Sequence, residues 1–356
     1  MDMLWWNSVP NARRFIEDIA DKIASEESLV YNIDNYFPWD ETFTSILSEK
    51  CTTSERIFKV IYADETGNKP PGEYIKDKYF KPELKQKYRS AIGFERFAAE
   101  NDHSSVLKNS ILLVKCTDKQ TTDAWIDFVS GYVKYHKPNT NMCSFIIENC
   151  CENNNTSSIT NLSARDYFQK YDIDIFTLLI TSSLKNERNE NSVIKRYSAE
   201  LASLLAGDDI ELAALFARNG KKLAFHTDYV VKEILNKEQR SNSGNFSISG
   251  EINQIIREAQ IKIFYPEIEY FRTWFINKYA DDFPGTEALT TYFGNSVDDI
   301  SCLELGNLKF LCDSGKIEVN HSDLSNLIFY RECRNKLAHT TLLASDEIER
   351  LSKRQY

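Results

Sequence analysis

Glycine is scarce in this sequence: 12 of 356 residues, the first of them Gly67. Proline, at 8, and methionine, at 3, are scarcer still. Few glycines leave few positions suited to a left-handed backbone, so the chain is expected to be mostly helices joined by ordinary loops. No Cys-x-x-Cys pair occurs among the eight cysteines, and the five histidines never fall at helical ligand spacing, which excludes a readable zinc site. No apolar run approaches the roughly 18 to 20 residues that span a membrane. No secretory leader pattern is seen, so the thiols are expected to be reduced and the protein cytoplasmic. A net charge of −10 argues against a general coat for nucleic acid, though not against a site touching a few nucleotides.

What is present is enough apolar residue, 42%, with 12% aromatic, to build two compact domains. Phe15, Ile16, Ile19 and Ile23 recur at helical spacing and predict a helix from Pro10 to Ala24. Strands are predicted at Ser28–Ile33, Arg56–Tyr62, Ser110–Cys116, Met142–Asn149 and Ile173–Thr181. Between them lie helical patterns, one entered at Pro38 and running through Leu47, another around Trp125, Phe128, Val129 and Tyr132. Ala63 to about Lys87 reads as a polar insertion, and Glu152–Ser158 as a low-complexity loop. Strands alternating with helices predict an α/β domain with a mostly parallel sheet.

From Ser192 to Leu235 the pattern is helical only, and beyond Glu251 only helices follow. One contains Ile252, Ile255, Ile256 and Ala259; a second enters at Pro266; others cover Leu303–Cys312 and Ser322 to about Ala338, with Ser322 the expected N-cap. A last short helix begins near Ser345. The expected organisation is an α/β domain over 1–184, a helical extension over 185–236, a polar linker over 237–250 and an all-α bundle over 251–356.

The connection after the first strand, Asp34-Asn35-Tyr36-Phe37-Pro38-Trp39-Asp40, has neither glycine nor lysine. Bulky residues keep backbone N–H groups from converging on phosphates, and Asp34 and Asp40 would repel them, so ATP hydrolysis is not expected. Thr117-Asp118 after SILLVKC sits where an acidic magnesium-binding residue would be sought. Its acidic residue comes three positions after the apolar run, and the favoured reading is the polar edge of a buried strand. No cofactor and no metal are expected.

Arg334-Asn335-Lys336-Leu337-Ala338-His339 closes the predicted fourth helix of the tail. An Arg followed by a polar residue and, five positions on, a His, near the end of about 105 helical residues, resembles the HEPN class of helical domains. The element order before it resembles AAA-like and STAND-like ATPases with a degenerate P-loop. The resemblance implies metal-independent RNA cleavage, with Arg334, Asn335 and His339 as catalytic residues assembled across a homodimer of the C-terminal domains. It also implies a second use, as a regulatory or scaffolding protein with protein or RNA partners, of the kind met in prokaryotic antiphage defence and toxin–antitoxin systems. On one continuous helix Asn335 and His339 share a face, whereas Arg334 lies about 140° from His339. Arg334 could pair instead with an acid such as Glu332 or Asp323.

Three smaller features stay open on sequence grounds. Trp5 and Trp6 read as a partner anchor or as core. Arg218, Lys221 and Lys222 around Gly220 read as an anion site or as a solvated helix end. Cys150 and Cys151 read as a redox pair or as two buried thiols at a strand end.

Overall fold

The computed structural model describes residues 1–33, 37–53, 55–67, 69–136, 142–150, 159–184, 192–237, 249–294 and 296–354. Two compact units divide the chain, Met1–Asp172 and Ile173–Tyr356. The predicted loop 152–158, Asp34–Tyr36 of the first connection and most of the predicted linker (238–248) lie outside the described residues.

The first unit runs α1 (Asp2–Ser8), α2 (Pro10–Ala24), β1 (Leu29–Asn32), α3 (Asp40–Cys51), β2 (Ile57–Tyr62), α4 (Pro71–Tyr79), α5 (Pro82–Lys85), α6 (Phe94–Asn101), β3 (Ser110–Lys115), α7 (Lys119–Tyr135), β4 (Ser144–Asn149), β5 (Thr160–Ser163) and α8 (Ala164–Tyr167). Helix α9 (Lys170–Ser183) carries the chain across the unit boundary. The five strands form one sheet in the order β2-β3-β4-β1-β5, and all four neighbouring pairs are parallel. The fully buried β3 and β4 read as continuous apolar runs because both faces are covered.

Side-chain alternation sends the strands to two different cores. Val30, Leu112, Val114, Phe145 and Ile147 pack with Ile75 of α4, Phe97 of α6 and Trp125, Phe128, Val129 and Tyr132 of α7. Tyr31 points the other way, its ring 6.1 Å from Phe15 of α2 and 5.6 Å from Phe43 of α3. Trp5 and Trp6 join this second core with no exposed surface, so they are interior residues.

Two expectations fail here. Ile173–Thr181 is helical, within α9, and the fifth strand is Thr160–Ser163. A short apolar run does not distinguish strand from helix by periodicity, and Ile173, Phe176 and Ile180 fit helical spacing. The real β5, TNLS, is half-buried throughout and carries almost no apolar signal. The supposed polar insertion is also ordered: α4 buries Ile75 and Tyr79. Gly72 lets α4 approach α6, since a Cβ there would lie 2.2 Å from Phe94 Cβ.

The second unit is helical: α10 (Ser192–Ala206), α11 (Ile210–Ala217), α12 (Gly220–Phe225), α13 (Thr227–Lys237), α14 (Ser249–Lys278), α15 (Thr286–Phe293), α16 (Leu305–Asp313), α17 (His321–Ala338) and α18 (Ser345–Ser352). Helix α10 lies along α14, with Tyr197 and Phe264 ring centroids 5.0 Å apart and Arg196 bonded to the buried Glu267 at 2.7 Å. A break at Pro266 was expected, yet α14 is one helix of 30 residues with Pro266 inside it. Pro266 is exposed while Phe264, Ile268, Phe271 and Phe275 are buried. The missing hydrogen bond thus falls at an exposed position of the helix, and burial of the flanking residues holds the helix together.

An α/β unit with a parallel sheet, followed by a helical bundle, is the fold class that the sequence pattern predicts. No described helix is long and apolar enough to cross a membrane. Among the described residues no group of three or more His, Cys, Asp or Glu could hold a metal ion.

Candidate functional site

From β1 the chain crosses to the edge strand β2 and then steps back through β3 and β4 to β1's side. In open α/β sheets the ligand crevice lies beyond the carboxyl ends of the strands where the order reverses in this way. Here that place holds a buried polar cluster. Lys115, the last residue of β3, is ion-paired with Asp40 at the start of α3, and its Nζ lies 3.8 Å from Glu148 of β4. The hydroxyl of Tyr31 donates to Glu148. Burial raises the Glu148 carboxyl above its ordinary value, against the opposing pull of the Tyr31 hydroxyl and the Lys115 ammonium. Beside it, Asn149 Nδ2 donates to Asn32 Oδ1 at 2.6 Å, and Asn32 Nδ2 donates to Asn161 and to the Leu162 carbonyl. The protein's own ammonium thus answers Asp40, whose charge the sequence suggests would stand open to repel phosphate.

Asp118 has an assigned task. It caps α7, accepting from Thr121 N at 2.9 Å and Thr121 Oγ1 at 2.7 Å, and these bonds hold its carboxyl below the usual range. Cys116 is buried and its thiol is pushed up to about 12, chiefly by that burial. Cys150 donates to the Cys116 carbonyl at 3.1 Å; Cys151 lies outside the described residues.

In the second unit α14 and α17 run antiparallel. Lys278 and Tyr279 bond Asp323 near the start of α17, Phe271 stacks on Tyr330 with centroids 4.0 Å apart, and Arg257 reaches the Leu337 carbonyl at 3.3 Å. Asn320, not Ser322, caps α17, accepting from Asp323 N. Asp323 is therefore committed to that end, and Arg334 pairs elsewhere, with Glu304 at 3.0 Å. The two line a cleft of about 390 Å³ whose other walls include Tyr265, Glu269 and Arg272 of α14 and Cys302.

His339 is where α17 stops. Its N–H donates to the carbonyls of Asn335 and Lys336, its ring is exposed, and Thr340 follows with φ of 66°. Asn335 is half-buried one turn earlier. Neither Asn335 nor His339 lines the cleft that Arg334 faces. Within one chain Asn335 and His339 stand together while Arg334 is turned to another wall, as the helical spacing anticipates.

Lys222 pairs with Glu233, and Lys221 lies over Phe225. Sequence reasoning passed over Lys115 and Glu148, although a lone charge ending an apolar strand is a readable sign of a buried ion pair. It also passed over Arg257, which sits in a helix with no local motif. No protein-family model and no curated protein matches the chain.

Proposed function

We propose that the protein is a regulatory or scaffolding protein that does not hydrolyse nucleotides, an NTPase-like α/β unit without a phosphate loop joined to a HEPN-like helical unit. The observation that carries this reading is the Lys115–Asp40–Glu148–Tyr31 cluster at the carboxyl edge of the sheet. A buried ammonium balanced by the chain's own carboxylates occupies the place where a nucleotide's phosphates and metal would otherwise be received. The protein acts through contacts with protein partners or RNA, as a homodimer through residues 251–356, and a prokaryotic antiphage or toxin–antitoxin system is the setting it fits. Incubation with ATP or GTP and magnesium is expected to release no phosphate and to leave the thermal midpoint unchanged. Magnesium-dependent phosphate release would overturn the reading.

A second reading is favoured by the exposure of His339 beside Asn335. His339 is exposed at the end of α17 and Asn335, half-buried, lies one turn before it, so the imidazole is open to a ligand. In this reading the protein is a metal-independent endoribonuclease, with His339 moving a proton at the 2′-hydroxyl or the leaving oxygen. Metal-free incubation with single-stranded and structured RNA, with His339→Ala in parallel, decides it. Cleavage lost at least a hundredfold in the variant supports the enzyme, by the usual size of acid–base contributions of about 10²–10⁴. Intact RNA with both proteins leaves the regulatory reading standing.

A further inference from the structure

The stretch that reads in sequence as a polar insertion is built into the α/β unit as α4 and α5. From Lys69 to Arg89 it carries seven Lys and Arg against three Asp and Glu, in a chain whose net charge is −10. Elsewhere on the surface cations alternate with acids at helical spacing, as in Arg13–Glu17, Arg96–Glu100 and Lys353–Glu349. Such mixing is what a merely solvated face shows. Here one sign prevails.

Folding leaves the surplus in place. Asp77 answers Lys69 at 2.9 Å and Lys76 at 3.8 Å, and Lys85 donates to the Asp77 carbonyl. Lys78 lies 5.0 Å over the Tyr74 ring, and Arg89 donates to the carbonyls of Gln86 and Tyr88. Lys78, Lys81, Lys87 and Arg89 are all exposed, and no carboxylate among the described residues pairs with any of them. Beneath them Ile75, Tyr79 and Phe80 are buried, so the charges stand on a packed base. Like charges held together on a fixed surface repel one another and draw in an anion.

We propose that the face formed by the end of α4, by α5 and by the turn after it binds the phosphate backbone of a nucleic acid, without regard to sequence. No large apolar side chain from Lys69 to Arg89 is exposed, so the face lacks the desolvated apolar centre of a protein interface. Three of its four unmatched cations are lysines, mobile point charges that suit a row of phosphates better than a two-pronged carboxylate contact. The proposal does not depend on whether residues 251–356 bind or cut RNA, because every residue it invokes lies in the first unit.

The test is binding of a fluorescein-labelled single-stranded oligonucleotide to the full chain across a range of salt. Four phosphate contacts predict a log–log salt slope of about −3 for a single strand. Lys78→Gln/Lys81→Gln/Lys87→Gln should bring the slope to about −1 and weaken binding at least about tenfold at low salt. Removing the same charge elsewhere, in Lys232→Gln/Lys316→Gln/Lys353→Gln, should leave the slope within about one of wild type. Thermal melts check folding; should the first triple variant melt early, Lys81→Gln/Lys87→Gln replaces it, with an expected slope of about −1.5. Equal losses in the two triple variants would show that net charge alone is read, and would overturn the proposal. So would competition by polyglutamate as strong as that of unlabelled oligonucleotide, or binding to phosphatidylserine vesicles with none to the oligonucleotide. Binding lost in His339→Ala and kept in the first triple variant would place the nucleic acid on the other unit, overturning this proposal and sparing the RNA reading.

Discussion

Lys115→Met is expected to destabilise the α/β unit by about 3 kcal/mol at neutral pH, because it leaves buried carboxylate charge without its counter-ion. Glu148 is the group that suffers; Asp40 is partly exposed and can turn to water. The deficit should shrink on acidification. In the folded protein the Glu148 carboxyl is raised above 4.5, first by burial. A raised acid binds its proton more tightly folded than unfolded. Its contribution to stability is therefore fully present below the unfolded value and is lost as pH rises through the folded one. Removing the ammonium takes away one of the two opposing influences, so the variant's carboxyl titrates higher still. Urea unfolding at neutral pH and near pH 5 measures this, and a deficit identical at both would contradict the ion-cluster account. Fluorescence reports chiefly on the unit, since Trp5, Trp6, Trp39 and Trp125 lie in it and Trp274 alone in the other. Lys115→Met/Glu148→Gln should recover most of the loss, because the pair is replaced and no longer broken.

Trp6→Ala should cost about 4 kcal/mol, the range for truncating a wholly buried large aromatic. Its ring lies 5.1 Å from Phe43, 5.4 Å from Phe37 and 5.8 Å from Phe168, so truncation opens a cavity among rings that cannot collapse into it. The indole N–H has no acceptor, so Trp6→Phe loses volume but no hydrogen bond and should cost under about 1.5 kcal/mol. A Trp6→Ala chain as stable as wild type would return Trp6 to the role of an exposed partner anchor.

These two residues also show what could be read beforehand. Helix α2 was legible because Phe15, Ile16, Ile19 and Ile23 make a single stripe, and β3 and β4 because parallel strands covered on both faces are apolar end to end. Strand β5 was not, since a half-buried edge of Thr, Asn, Leu and Ser carries no periodic signal. Nor was the continuity of α14, where tertiary burial overrides the local effect of Pro266. The angular separation of Arg334 from His339 followed from residue counting alone. The partner Glu304 did not, because a capping residue 30 positions away comes near only when α16 packs on α17.

Pro266 gives α14 a seam. The helix grips the chain around His339 with Arg257 and Gln260 on one side of it, and the start of α17 with Phe271, Lys278 and Tyr279 on the other. With one rung of the ladder missing between them, the two halves can open to solvent separately, each with its own amide-exchange rate.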